Sequence, residues 1–143
     1  MKPLIREAKP SDMDFIYSTW LRAYYDLMNR FHKPSKTVFF KEHQTYIKKL
    51  VEKSDCYIVC NEEDTDQIIS YMVAEPNTLH FIYTKNVFRQ YGFARMLLNL
   101  IKPVAYTHHT SYIKHLKMNA TYNPYYGEFH ASKNQTTQDS TVH

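Results

Sequence analysis

The chain has 143 residues, 43% of them hydrophobic and 15% aromatic, which suits one domain with one buried core and excludes a two-domain arrangement. No apolar run approaches the ~20 residues that cross a bilayer, and Met1–Glu7 holds no apolar core of signal-peptide length, so no membrane partner is expected. A net charge of +4 with histidine neutral suits an anionic ligand or an acidic partner and is too small to mark a nucleic-acid-binding protein, so nucleic acid stays possible but unsupported.

Pro3–Ala8 reads as a first strand, and Lys9-Pro10-Ser11-Asp12 as a turn with Ser11 or Asp12 as helix N-cap. From Met13 to about Met28, the apolar residues Phe15, Ile16, Trp20, Ala23, Tyr24 and Leu27 recur at three- and four-residue steps, the mark of an amphipathic helix. Pro34 interrupts the loop that follows. A second helix is predicted from about Lys36 to Glu52, with Phe39, Phe40, His43, Tyr46, Ile47 and Leu50 on one face. His43 on that face reads as a half-buried, hydrogen-bonded histidine rather than a ligand. Lys48, Lys49 and Lys53 read as its solvated side.

Three strands follow: Cys56–Cys60, then Gln67–Ala74 after the acidic turn Asn61–Asp66, then Leu79–Thr84 after Glu75-Pro76-Asn77. Cys56 and Cys60, four apart on one strand, lie roughly 13 Å from each other, too far for a disulfide. They read as small apolar residues in a reducing cytoplasm. With no second Cys pair, no metal site is expected.

The strand Leu79–Thr84 leads through a short polar connection into Gly92-Phe93-Ala94-Arg95-Met96-Leu97-Leu98-Asn99-Leu100-Ile101, which has helical apolar spacing as far as Lys102-Pro103. The chain has two glycines in all, and one of them, Gly92, stands at this strand-to-helix turn. Glycine there permits positive φ and close approach of a ligand to the main chain, and a helix start with unpaired N–H groups suits phosphate. Val104–Thr107 reads as a fifth strand. Thr110–Met118 reads as a short helix ending on a left-handed Asn119, and Ala120–Tyr122 with Tyr125-Tyr126 as closing strands. The polar segment 131–143 is expected to be disordered.

Arg89-x-x-Gly92-x-Ala94 between strand and helix resembles the phosphate-binding signature of the GCN5-related N-acetyltransferases. Three further stretches agree with that family in order: the opening Ile5-Arg6-Glu7-Ala8-Lys9-Pro10-Ser11-Asp12, the three-strand meander, and the closing Leu116-Lys117-Met118-Asn119-Ala120 with Tyr122-Asn123-Pro124. The resemblance covers Leu4 to about Phe129. It implies an α/β (α+β) domain over residues 1–130, with a mixed, mostly antiparallel central sheet of six to seven strands and helices on both faces.

The resemblance further implies acetyl-coenzyme A as acyl donor, held by main-chain groups of Ile82 and Thr84 and by the turn Arg89, Gln90, Tyr91, Gly92, Phe93 and Ala94. Asn86 stands where the family often has proline, and Ala94 where it often has a second glycine. The family's thiolate proton donor sits four residues before a closing glycine; counting back from Asn119 reaches His115, with Tyr112 one turn earlier as the alternative. His108 and His109 are placed to take a proton from the acceptor amine, with Glu75 a further base candidate. Phe31 and His32, with the tyrosines near Tyr122 and Tyr125, are placed to wall the acceptor pocket. The implied activity is direct acetyl transfer to an amine of a small molecule, a protein or a nucleobase. The competing possibilities are a non-catalytic protein of this fold that binds coenzyme A or a protein partner, and a nucleobase-modifying enzyme of phage type.

Overall fold

The structure, a computed structural model, describes residues 1–28 and 33–126. Strand β1 (Pro3–Glu7) passes through a 3-10 turn at Pro10–Asp12 into helix α1 (Met13–Leu27), and α2 (Lys36–Lys53) follows. Strands β2 (Asp55–Asn61), β3 (Asp64–Glu75) and β4 (Thr78–Thr84) form the meander. After them come α3 (Phe93–Leu98), β5 (Ala105–Tyr106), a 3-10 helix at Ser111–Leu116 and β6 (Thr121–Tyr122). The six strands lie in one sheet in sequence order; β1 to β4 pair antiparallel, and β4–β5 and β5–β6 pair parallel. This is the mixed, mostly antiparallel sheet expected from the sequence.

Strand alternation sends side chains to both faces, and each face is covered. On one, Trp20 of α1 and Phe39 and Ile47 of α2 pack on Ile58, Tyr71, Val73 and Phe81. On the other, Phe93, Leu97 and Leu98 of α3, with Ile113, pack on Val59, Met72, Leu79 and Ile82. The β3–β4 register slips by one residue where Val73 opposes Phe81 and Ala74 opposes Leu79, which leaves His80 as the extra residue of a bulge.

The start of α1 departs from expectation. Asp12 stands at the N-cap position but makes no side-chain cap bond. Its carboxylate instead accepts from both Nη atoms of Arg6, at 2.7 and 3.1 Å, and from the Lys9 amide at 2.7 Å. The Arg6 hydrogen bond outweighs burial and holds the Asp12 carboxyl below its usual range. Asp12 therefore ties β1 to the turn before α1. Asp12→Ala should cost about 2 kcal/mol, the scale of a hydrogen bond to a charged group, because Arg6 keeps its bonds to the Glu7 and Thr65 carbonyls. Urea denaturation at pH 7 checks this; a loss below about 0.5 kcal/mol would show that those carbonyls alone satisfy Arg6. Helix α2 has a cap that the sequence reading did not identify, Ser35 Oγ accepting from the Val38 amide at 3.3 Å.

Two helices are shorter than the sequence spacing predicts. Helix α3 stops at Leu98 because the chain tightens, with Leu100 N bonding Leu97 O and Ile101 N bonding Leu98 O. The Val104 amide then bonds the Asn77 carbonyl at 2.8 Å, which draws the chain onto the β3–β4 turn. The segment predicted as Thr110–Met118 is a 3-10 helix over Ser111–Leu116, and its left-handed terminal residue is Lys117 (φ 50°), not Asn119. Phe31, His32 and the segment 131–143 lie outside the described residues, as does the side chain of Tyr112.

Strands β4 and β5 share only the pairs Thr78/Ala105 and Leu79/Tyr106, plus one bond from Thr107 N to Leu79 O at 3.0 Å. Beyond it, among the described residues, no strand pairs with the β5 side of β4. The sheet is forked, and the C-terminal half of β4 borders the opening.

Candidate active site

The connection after β4 is built from local bonds. Phe88 N bonds Lys85 O and Arg89 N bonds Asn86 O, which makes a 3-10 turn at Asn86–Phe88. Gln90 then takes φ 72° and Gly92 φ 84°, both left-handed, before α3 begins at Phe93. Glycine suits that conformation without strain; Gln90 is held in it and was not foreseen from the sequence. A Cβ built on Gly92 meets nothing within 4 Å, so the main chain here faces open space.

That open space is a cleft of roughly 480 Å³ between the end of β4, the turn, α3 and the 3-10 helix at Ser111–Leu116. Ile82, Thr84, Arg89, Gln90, Gly92, Phe93 and Ala94 line it, as does His115. Of the residues the resemblance assigned to the acyl donor, Tyr91 is the one that does not line the cleft; it is 72% exposed and lies against the Phe93 ring. Tyr83, Phe88, Arg95 and Leu116 also line it and were not anticipated. Arg95 donates through Nη2 to the Leu116 carbonyl, fastening the 3-10 helix to α3 and closing that wall.

The resemblance sets Arg89 in the phosphate-binding turn. Its Nε donates to the Thr84 carbonyl at 3.0 Å, and its guanidinium lies over the Tyr83 ring, 5.9 Å from the centroid. The Thr84 carbonyl is thus engaged, and the Thr84 hydroxyl lies 2.8 Å from Ser70 Oγ.

A second cleft, roughly 330 Å³, opens on the α1 side and is lined by Thr19, Arg22, Ala23, Asp26 and Leu27 with Tyr83 and Arg89. The two clefts share Tyr83 and Arg89 in their linings, so they adjoin at the end of β4. Residues 19, 22, 23 and 26 fall at i, i+3, i+4 and i+7 on one edge of α1. That mixed polar stripe was the sequence signal for this cleft.

The other predicted residues lie elsewhere. His108 does not face an acceptor opening. It is 3% exposed, packed against Trp20, Tyr24 and Phe81 beneath the helices, and lines neither cleft. Thr107 and His108 directly follow β5 and are both buried, with His108 turned toward the α1 and α2 face. His109 is exposed and contacts the Tyr106 hydroxyl. Glu75 bonds His80 rather than lining a cleft. Tyr122 and Tyr125 are exposed at the edge of the sheet. Among the described residues, no group of three or more His, Cys, Asp or Glu is placed to hold a metal ion, and no helix is long and apolar enough to cross a membrane.

No protein-family model matches the chain, and no curated protein matches it. Solved structures do. A Pyrococcus furiosus protein assigned as an acetyl transferase superposes with a TM-score of 0.61 at 11% identity, over 79% of this chain and 88% of that one. A Staphylococcus aureus protein assigned to the GNAT acetyltransferase family gives 0.53 at 15% identity, over 83% and 98%. A GCN5-related N-acetyltransferase from Rhodopseudomonas palustris gives 0.50 at 8% identity, and there the chain spans only 62% of the other protein's length. At such identities the likeness concerns architecture, which agrees with the element order and the forked sheet described above. The fold of this chain is that of the GCN5-related N-acetyltransferases.

Proposed function

We propose that the chain binds acetyl-coenzyme A in the cleft beside Gly92 and transfers the acetyl group to an amine held in the cleft beside α1. The observation that carries this reading is that the two clefts adjoin at Tyr83 and Arg89, at the end of β4. A donor lying in one and an acceptor in the other have their reacting ends brought together there.

The donor fits the residues present. Left-handed Gln90 and Gly92 bracket a turn whose amides, from Gln90 to Ala94, form a concavity suited to a pyrophosphate. The mainly apolar wall of Ile82, Phe88, Phe93 and Leu116 suits a pantetheine arm. Arg89 Nε already occupies one lone pair of the Thr84 carbonyl, and the main chain of Ile82 and Thr84 borders the cleft for contact along that arm. Acetyl-coenzyme A supplies an acetyl thioester, and the chain's work is to hold it, exclude water and exchange protons. The acceptor is an amine of a small molecule, a protein or a nucleobase. The second cleft carries both signs of charge, with Asp26 exposed at its rim and Arg22 and Arg89 in its lining. Both cysteines are free thiols, which goes with a cytoplasmic site of action.

Calorimetric titration with acetyl-coenzyme A, and thiol release in the presence of a panel of amines, test this directly. Gly92→Val should weaken acetyl-coenzyme A binding tenfold or more, about 1.4 kcal/mol. A β-branched residue resists φ 84°, and its side chain would stand in the open space of the cleft. Unchanged affinity, with circular dichroism showing the fold intact, would remove the donor from this cleft. One observation favours a coenzyme A-binding protein without turnover: His108, one of the candidate proton carriers, is buried and lines neither cleft. Binding without thiol release for any amine would decide for that reading.

A further inference from the structure

A chain of hydrogen bonds runs under α2, across the sheet face that the helices cover. His43 Nε2 lies 2.9 Å from His108 Nε2, and His108 Nδ1 lies 3.0 Å from Thr107 Oγ1. Thr107 Oγ1 is 3.0 Å from His80 Nδ1, and His80 Nε2 is 2.8 Å from Glu75 Oε2. The bulge in β4 makes this possible. With His80 as the extra residue, it lies beside Thr107 and His108 on the face where Phe81 packs, whereas Leu79 packs on the opposite face.

The carboxylate sets the direction of every bond. An ionised Glu75 only accepts, so His80 donates from Nε2 and its Nδ1 accepts. Thr107 then donates to His80 and accepts from His108 Nδ1–H. His108 Nε2 is left to accept from His43 Nε2–H. Each neutral imidazole has one proton and one lone pair, so the tautomers of three histidines are fixed from Glu75 outward. At the far end, Nδ1 of His43 carries a lone pair and has no hydrogen-bond partner among the described residues.

We propose that Glu75, His80, Thr107, His108 and His43 form a proton relay that takes up a proton at Nδ1 of His43 and stores it on the His80–Glu75 pair. As the proton arrives at His43 Nδ1, the Nε2 proton of His43 passes to His108 Nε2. The Nδ1 proton of His108 passes to Thr107 Oγ1, and the Thr107 hydroxyl proton passes to His80 Nδ1. His80 becomes an imidazolium against the Glu75 carboxylate, and His108 and His43 end neutral in the opposite tautomer. No other bond changes, and one proton has entered.

The surroundings explain why the charge passes through and rests at the Glu75 end. His43 lies among Tyr24, Phe39 and Tyr46, and His108 among Trp20, Tyr24, Tyr46 and Phe81, and no carboxylate among the described residues acts on either. Burial pushes His43 down to about 4 and pushes His108 well below the usual histidine range. Tyr24 and Tyr122 are held protonated by burial. Near Glu75, burial raises its carboxyl, but the His80 hydrogen bond and charge, with Lys53, outweigh this and hold it low. The relay rests on the bond chain alone, not on acetyl transfer.

Nitrogen-15 NMR of the full chain between pH 8 and 4.5 reads the tautomer of each histidine. The relay requires Nε2–H on His80, Nδ1–H on His108 and Nε2–H on His43 at pH 8. On acidification His108 and His43 should invert and His80 become doubly protonated, all with one midpoint. Thr107→Val removes the central hydroxyl, so His108 and His43 should cease to follow His80. Thr107→Ser should restore the common midpoint. If Thr107→Val fails to fold, Glu75→Gln, at the end of the chain, should abolish the common inversion. Separate midpoints in the unaltered protein, other tautomers at pH 8, or a common midpoint that survives loss of the hydroxyl or carboxylate would each overturn the relay.

Discussion

Between pH 6.5 and pH 4 the protein should lose at least about 3 kcal/mol of stability, well before its structural carboxylates titrate. The sign follows from His43, which burial holds down to about 4 in the folded state, whereas a histidine in the unfolded chain titrates near 6.5. Above pH 6.5 both states are neutral and the stability is fully present. As the pH falls below it, the unfolded chain binds a proton that folded His43 refuses. Stability then drops by about 1.4 kcal/mol per pH unit until the folded state also titrates. Over about 2.5 units this gives roughly 3.4 kcal/mol. His108 is lowered further by burial and by the neighbouring His43 and His80, so it adds to the loss in the same window. Set against the 5–15 kcal/mol typical of a domain, the pair decides acid tolerance. Asp12 and Glu75, whose folded carboxyls are depressed, lose their contribution only at lower pH, so the windows separate. Guanidinium denaturation at pH 7, 6 and 5 checks the slope, and His43→Phe should lessen it. A stability that stays level from pH 7 to 5 would mean that these histidines accept protons freely in the folded chain.

The elements legible in the sequence were those carried by periodicity. Helices α1 and α2 and strands β1 to β4 appear within a few residues of their predicted bounds, because each has a long apolar pattern matching one face of the sheet. Gly92 was legible for a different reason: in a chain with two glycines, a left-handed turn is visible in one letter. The region after α3 was read less well. There the elements are two to six residues long and are fixed by tertiary bonds, such as Val104 N to Asn77 O and Thr121 N to Val104 O, which no local pattern encodes.

The same division runs through the site. Most residues lining the cleft beside Gly92 sit on one local strand–turn–helix unit, so seven of the eight residues that the resemblance singled out there line one cleft, while His115 and Leu116 come from the later 3-10 helix. His108 was misplaced because its neighbours come from α1, α2 and β4, and its depth depends on Trp20 and Phe81 stacking beside it with centroids 4.9 Å apart. The sequence offered His108 as a candidate base, read His43 as a half-buried, hydrogen-bonded histidine and singled out nothing at His80. Their joining through Thr107 depends on the β4 bulge, a register feature that alternation alone does not reveal.

His115→Ala should lower acetyl-transfer turnover at least a hundredfold, about 2.7 kcal/mol in the barrier, with acetyl-coenzyme A affinity unchanged. In the proposed function, transfer leaves a thiolate in the cleft beside Gly92, and a side chain that protonates it reaches into that cleft. His115 lines the cleft beside Leu116, on the 3-10 helix that Arg95 fastens to α3, so its position is held from both sides of the wall. Histidine carries a proton that is available near neutral pH, as the departing sulfur requires. Tyr112 has the chemical type the family favours and stands on the same 3-10 helix, which makes Tyr112→Phe the comparison that apportions the role. A donor at His115 predicts a large fall in kcat for His115→Ala, near-normal turnover for Tyr112→Phe, and partial recovery of the alanine variant in added imidazole. The reverse pattern would assign the proton to Tyr112. Normal turnover in both variants would show that neither side chain is the donor and that water reaching the cleft protonates the sulfur.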